Sequence, residues 1–107
     1  MSSLESLSFH YNQLTTLPES IGNLSSLDHL ELYINQLTTL PESIGDLNNL
    51  ESLSVQVNQL TTIPESIGNL MYLTKVELEN NQIITLPDSI CNLPETCYIN
   101  VGNNQLC

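Results

Sequence analysis

Positively charged side chains are almost absent from this chain of 107 residues. Lys75 is the single Lys or Arg, against twelve Asp and Glu residues, and the formal net charge at pH 7 is -11. Nucleic-acid backbones and anionic membranes are bound through clustered Lys and Arg side chains. The composition therefore predicts no nucleic-acid partner and no membrane partner, and it favours partners that are basic.

Long apolar runs are also missing, and no stretch approaches the roughly 20 apolar residues of a membrane-spanning helix. The first residues, Met1-Ser2-Ser3-Leu4, lack the basic and apolar regions of a secretory signal peptide. We expect either a cytosolic protein or one whose export signal is not part of this sequence. The localisation stays open between the cytoplasm and secretion.

The three cysteines fall late in the chain and match no metal-binding motif. Cys91, Cys97 and Cys107 form no CxxC pair and have no histidine nearby, so a zinc site is not expected. Three interpretations stay open: a disulfide that caps the end of the fold, buried free thiols, and a catalytic thiol. If a disulfide forms, Cys91–Cys107 is the first choice.

A repeat of 23 residues organises the rest of the sequence. The stretch Asn35-Gln36-Leu37-Thr38-Thr39-Leu40-Pro41 has copies 23 residues before and after it, and further copies begin at Asn81 and Asn104. A fixed period of this length predicts a solenoid, in which each unit stacks on its neighbours. We expect one domain over 1–107, with units at approximately 4–26, 27–49, 50–72 and 73–95 and a partial unit at 96–107.

Each unit contains a short segment in which apolar and polar residues alternate. In the second unit this segment is Leu30-Glu31-Leu32, and a period of two predicts a strand. Stacking of the units places these strands side by side and parallel, roughly 4.8 Å apart. The sequence therefore predicts five parallel strands.

Two further columns predict how each unit turns. An asparagine recurs after every strand, as at Asn35, where its amide can bond backbone groups of adjacent turns. A proline followed by an acid, as at Pro41-Glu42, suits the first turn of a short helix. Thr39 has capping-box spacing to Glu42, whereas a proline at the first helical position would make Leu40 the cap, so the identity of the helix cap stays open.

Together these columns resemble the leucine-rich repeat. The pattern LxxLxLxxNxLxxLPxxIGxL, which begins at Leu27, is similar to the 23-residue form found in bacterial, protist and plant proteins related to Ras-binding scaffolds. The resemblance implies an α/β fold, a right-handed β-α superhelix with about five short parallel strands on its concave face and short helical or 3-10 turns on its convex face. It also implies a non-catalytic module that binds a protein partner without a cofactor.

In that geometry, the residues between the inward-facing columns lie on the concave face, and they differ from unit to unit. The predicted partner-binding residues are His10, Tyr11, His29, Glu31, Tyr33, Ile34, Gln56, Val57, Lys75, Glu77, Glu79 and Tyr98. Within this set, Tyr11, Ile34 and Val57 share one column and are expected to form an apolar patch of the kind found at protein hot spots. Cross-strand packing without a partner is the alternative interpretation.

Catalysis and metal binding are not expected. Glu77 and Glu79 alternate on one strand, roughly 6.6 Å apart, and are interpreted as solvated charge or as a contact for a basic partner. His10 and His29 fall in different columns, roughly 13 Å apart, which is too far to share a zinc ion.

Two alternative functions stay open. The first strand has no cover in this sequence, so we expect upstream residues or a second copy of the chain to pack on it, which fits a structural or self-assembling role. The threonine pairs Thr15–Thr16, Thr38–Thr39 and Thr61–Thr62 form a regular ladder that resembles an ice-binding surface.

Overall fold

The computed structural model describes residues 5–9, 12–94 and 97–104 of the chain. Three-residue strands alternate there with five-residue 3-10 helices, one of each per complete unit. The strands are β1 (Ser6–Ser8), β2 (His29–Glu31), β3 (Ser52–Ser54), β4 (Lys75–Glu77) and β5 (Tyr98–Asn100). The 3-10 helices are Glu19–Asn23, Glu42–Asp46, Glu65–Asn69 and Asp88–Asn92. No helix in these described ranges is long and apolar enough to cross a bilayer.

The strands form a single parallel sheet in chain order, β1-β2-β3-β4-β5, which confirms the five predicted parallel strands. Each strand pairs with the next at an offset of one repeat, so that Leu7, Leu30, Leu53, Val76 and Ile99 lie in one row. Because equivalent residues pair, each column of the sequence becomes a row of side chains across the sheet.

The apolar rows form a core that runs along the solenoid. Leu30, Leu53 and Val76 are completely buried in the middle of the row, whereas Leu7 and Ile99 at its ends are partly buried. Since a unit buries its apolar side chains only against its neighbours, the middle units gain the most from stacking.

The asparagine after each of the strands β2 to β5 ties its unit to the preceding one, as the sequence predicts. Asn58 Nδ2 donates to the carbonyls of Leu32 at 3.0 Å and Val55 at 2.9 Å, and Asn58 Oδ1 accepts from the backbone N–H of Leu37 at 3.0 Å. Asn35, Asn81 and Asn104 make equivalent hydrogen bonds. These amides satisfy buried backbone groups that would otherwise lack partners.

The predicted start of the 3-10 helices is wrong by one residue. Pro41, with φ -71° and ψ 152°, is extended and lies just before the helix that begins at Glu42. The N-cap residue of each of the four helices is the proline, which makes no side-chain capping hydrogen bond, so Thr39 is not the cap. The acid after each proline does lie in the first turn, where the helix dipole favours negative charge.

The 3-10 helices stack so closely that the glycine column has no room for a side chain. A Cβ atom on Gly45 would lie 2.6 Å from the carbonyl oxygen of Ser66 in the next unit, and Gly22 and Gly68 meet the next serine in the same way. In the fourth unit this position is Cys91, which carries an exposed free thiol within the described residues. Its expected disulfide partner, Cys107, lies outside them, so that disulfide stays a prediction.

Candidate partner-binding face

The face of the sheet opposite the core carries three rows of side chains, which we call the concave sheet face. The first row is Ser6, His29, Ser52, Lys75 and Tyr98, and the second is Ser8, Glu31, Ser54, Glu77 and Asn100. The third continues the alternation beyond the strands, with Tyr33, Gln56, Glu79 and Gly102. Unlike the buried rows, these rows change residue type at almost every unit.

The structure brings most of the predicted site residues together on this face. His29, Lys75 and Tyr98 lie in the first row, Glu31 and Glu77 in the second, and Tyr33, Gln56 and Glu79 in the third. Ile34 and Val57 lie immediately beyond the third row. His10 and Tyr11 lie outside the described residues, so the expected contribution of Tyr11 to the apolar patch stays a prediction.

Ile34 and Val57 have an unusual backbone conformation that the sequence did not reveal. Their φ angles are 61° and 58°, and the equivalent residues Asn80 and Asn103 have φ angles of 59° and 56°. This left-handed region is unfavourable for β-branched side chains, at about 1–3 kcal/mol for each residue, whereas asparagine tolerates it. Val57 is nevertheless 41% exposed, so burial in the free chain compensates for little of this strain.

The fold imposes this conformation through the hydrogen bonds between units. The backbone N–H of Ile34 donates to the carbonyl of Gln56 at 3.0 Å, and that of Val57 donates to the carbonyl of Glu79 at 3.1 Å. Asn80 donates to the carbonyl of Gly102 at 2.9 Å in the same way. The backbone is therefore the same whether the side chain is isoleucine, valine or asparagine.

Glu77 is the centre of the polar contacts on the concave sheet face. Its Oε1 lies 3.6 Å from Lys75 Nζ, and its Oε2 accepts hydrogen bonds from Gln56 Nε2 at 3.2 Å and Ser54 Oγ at 3.5 Å. The Glu77 side chain is only 19% exposed, so it is a more constrained group than the solvated charge that its spacing suggested. The chain's single Lys or Arg is thus already paired with a carboxylate.

His29 lies at the edge of this face beside an acidic loop. Its Nδ1 is 2.6 Å from Asp28 Oδ1, and the hydrogen bond to Asp28 raises the pKa of His29 above its ordinary value of 6.5. The negative charges of Asp28, Glu51 and Glu31 act in the same direction, while partial burial opposes them.

An acidic groove, which sequence reasoning missed, lies on the side from which the strands begin. Its volume is about 440 Å³, and its lining residues are Glu5, Ser26, Asp28, Asn49, Glu51 and Tyr72. The signal in the sequence was an acid directly before each of the first three strands, at Glu5, Asp28 and Glu51. No group of three or more His, Cys, Asp or Glu side chains that could hold a metal ion occurs in the part of the chain that the structure describes.

The family model described as Leucine Rich Repeat matches residues 3–24, 49–70 and 72–93. No curated protein sequence matches the chain.

Several solved structures share its fold. A leucine-rich-repeat protein of Leptospira interrogans superposes with a TM-score of 0.94 at 39% identity, over 98% of this chain and 27% of that chain. A plant peptide hormone receptor, solved in complex with RGF2, gives a TM-score of 0.89 at 35% identity, over 98% of this chain and 18% of that chain. An internalin of Listeria monocytogenes gives a TM-score of 0.78 at 29% identity, over 99% of this chain and 31% of that chain. The chain thus spans less than a third of each of these proteins.

Proposed function

The chain belongs to the leucine-rich-repeat family, and we propose that it is a non-catalytic module that binds a protein partner through the concave sheet face and the adjoining residues Ile34 and Val57. In this proposal Ile34 and Val57 are the apolar anchors. The observation that carries it is their left-handed backbone, which is unfavourable for β-branched residues.

The fold accepts asparagine at the equivalent position of the fourth and fifth units. Asn80 and Asn103 adopt the same conformation at lower strain, so the fold does not require isoleucine or valine there. Both residues strain the free chain, and Val57 also exposes apolar surface while Ile34 is half-buried, so we infer that they serve a partner and not the fold. Burial of that surface by a partner contributes about 25 cal/mol for each Å² removed from water.

The concave sheet face also has the composition of a binding surface. Its rows combine aromatic, charged and amide side chains, whereas the stacking of the units is carried by the buried rows and the asparagine column. Aromatic and apolar side chains surrounded by polar groups are the usual constitution of a binding hot spot. The plant peptide hormone receptor that resembles this chain was solved in complex with RGF2. That likeness supports a protein or peptide partner for this chain.

A structural role in a larger stack is the second candidate, because the first unit is incompletely buried. Phe9 is 42% exposed, whereas its equivalents Leu32, Val55 and Leu78 are completely buried. Further units or a second copy of the chain could cover this surface. Light scattering over a range of concentrations tests the second copy, which predicts a molar mass that rises with concentration.

A peptide selection tests the binding proposal. A random peptide library is selected on the wild-type chain, and affinities are measured by fluorescence anisotropy for the wild type and for the double variant Ile34→Asn, Val57→Asn. We expect the double variant to lose at least about 10-fold in affinity, equivalent to about 1.4 kcal/mol. The matched control is Thr38→Asn, Thr61→Asn, which makes the same number of changes in the same two units at exposed positions away from the sheet.

The control variant should bind like the wild type. Equal affinity of all three proteins for the selected peptides would contradict the proposal, since the anchors would then contribute nothing. A comparable loss in the control variant would contradict it as well, because the binding surface would then not be the concave sheet face.

A further inference from the structure

The first unit leaves partly exposed the face through which each later unit packs on its predecessor. We call this surface the N-terminal end face, and its apolar residues are Leu7, Phe9, Leu14 and Leu17. Phe9 is 42% exposed, and the three leucines are only partly buried. Their equivalents in the second unit are at most 6% exposed, namely Leu30, Leu32, Leu37 and Leu40. The N-terminal end face is therefore an unfilled copy of the interface that joins the units.

On the convex side, each interface places a glycine of one unit against a serine of the next. A Cβ atom on Gly22, Gly45 or Gly68 would lie 2.6 Å from the carbonyl oxygen of the facing serine. The backbone fixes the position of a Cβ atom, so a change of rotamer does not relieve this contact, and the units would have to move apart. A unit that packs on a following serine in this geometry must therefore carry glycine.

The serine also contributes a hydrogen bond to the same interface. Ser66 Oγ donates to the carbonyl of Glu42 at 2.7 Å, and Ser89 Oγ donates to the carbonyl of Glu65 at 2.6 Å. Ser20 holds the equivalent position in the first unit, where it is exposed. The N-terminal end face thus presents the whole receiving half of a unit interface, with apolar rows on the sheet side and a serine on the convex side.

The last convex helix that the structure describes lacks the matching half. In the helix Asp88–Asn92, the position of the glycines is held by Cys91. A following unit in the same geometry would bring its serine carbonyl as close to the Cys91 Cβ atom as the three other units bring theirs to the glycines. The convex stack can therefore be extended before its first helix, whereas Cys91 blocks its extension after the fourth.

We propose that the N-terminal end face docks a preceding leucine-rich-repeat unit of the same polypeptide, which carries glycine opposite Ser20. Continuity with the interfaces between the described units identifies this occupant. The first unit matches the family model over residues 3–24, so it is an ordinary repeat, which buries both of its faces. The solved structures that share the fold are longer stacks, of which this chain spans 27%, 18% and 31%. This surface is separate from the concave sheet face, so the inference does not depend on the proposed function.

An extended chain tests the inference. A copy of residues 24–46 is joined before residue 1 of the full chain, so that the 23-residue period continues without a break. We expect the added unit to raise the Tm by at least about 5 °C over the wild-type chain. The matched variant carries Gly45→Ala in the copy alone, and its Tm should be about 5 °C below that of the glycine version, because its Cβ atom meets Ser20.

Two results would overturn the inference. An added unit that does not raise the Tm would show that the N-terminal end face does not dock a repeat unit. Equal Tm values for the glycine and alanine versions would show that the unit does not pack against Ser20. Light scattering on the wild-type chain separates the remaining occupant, a second copy, since we expect a constant molar mass. A mass that rises with concentration in the wild type and not in the extended chain would assign the face to a second copy instead.

The direction of the stack is tested at its other end. A copy of residues 62–72, joined after residue 107, supplies the next convex helix in the same period. With a reductant present, we expect this addition to raise the Tm by at least about 3 °C more in Cys91→Gly than in the chain that retains Cys91. An equal gain in the two backgrounds would overturn the requirement for glycine on which the choice of occupant rests.

Discussion

The second and third units differ from the fourth and fifth at one position of otherwise equivalent backbone. Ile34 and Val57 occupy it in the former pair and Asn80 and Asn103 in the latter, all with φ between 56° and 61°. Asparagine tolerates this conformation better than β-branched residues do, so the fourth and fifth units carry less backbone strain at this position. The second and third units carry β-branched residues there, which the fold does not require. The comparison therefore distinguishes residues that stabilise the solenoid from residues available for binding.

The neighbouring column shows the opposite behaviour. Asn35, Asn58 and Asn81 follow directly after the variable position, and each is buried and hydrogen-bonded to the unit before it. No other small side chain provides both the acceptor and the donors that these backbone groups require. Two adjacent columns of one repeat are thus set by different constraints.

The largest expected loss of stability comes from a substitution in the asparagine column. Asn58→Ala leaves the N–H of Leu37 and the carbonyls of Leu32 and Val55 without this partner in the interior. We expect the free energy of unfolding to fall by about 3 kcal/mol, measured by urea denaturation. The control Gln59→Ala changes an exposed neighbour and should be close to neutral. A loss below about 1 kcal/mol for Asn58→Ala would mean that water replaces the amide, contrary to the assigned role.

The second effect concerns the contrast between the glycine column and Cys91. A Cβ atom on Gly45 would approach the Ser66 carbonyl oxygen to 2.6 Å, so Gly45→Ala forces the units apart. We expect a loss of about 2 kcal/mol in the free energy of unfolding. Cys91→Ala alters the same column at an exposed position, and it should be nearly neutral when both variants are measured with a reductant, which removes any contribution from the predicted disulfide. Similar losses for the two variants would show that stacking at Gly45 is not the cause.

The third effect comes from placing a β-branched residue at the left-handed position of the fourth unit. Asn80→Ile places a β-branched residue at φ 59°, and we expect a loss of about 1.5 kcal/mol in urea denaturation. Gln82→Ile introduces the same side chain two residues later, at an exposed position outside the left-handed residues, and serves as the control. If both variants unfold at the same urea concentration, the left-handed backbone does not discriminate against isoleucine.

The smallest effect depends on pH. The hydrogen bond to Asp28 raises the pKa of His29 above 6.5, so its contribution to stability is present below pH 6.5 and is lost as the pH rises through the folded-state pKa. Because the His29 side chain is 50% exposed, solvent screening limits this contribution to below about 0.5 kcal/mol. An NMR titration of the imidazole should give a midpoint above 6.5 that falls in Asp28→Asn. A midpoint that does not move in that variant would contradict the assigned cause.

The solenoid could be predicted from the sequence because its constraints repeat. Apolar alternation and the asparagine column recur in every unit, and stacking turns each column into a row of the sheet. The helix start was wrong because the φ angle of proline suits both a first helical residue and an extended one. The ψ angle of Pro41, 152°, decides between them, and the residue type does not specify it.

The candidate site was only partly accessible from the sequence. The rows that hold Glu31, Gln56 and Glu77 follow from alternation, because residues two apart lie on the same face. The left-handed backbone at Ile34 could not be predicted in this way, because a β-branched residue beside a strand predicts an extended conformation. Hydrogen bonds between units override that preference. The hydrogen bonds that Glu77 accepts from Gln56 and Ser54 depend on side-chain rotamers, for which a single sequence carries no signal.

The most direct test of the central claim is the free energy of unfolding of the double variant Ile34→Asn, Val57→Asn. If these two residues are retained for a partner at the expense of the free chain, relief of their backbone strain should raise that free energy by about 2 kcal/mol over the wild type in urea denaturation. An unchanged or lower value would contradict the claim, because it would show that Ile34 and Val57 serve the fold itself.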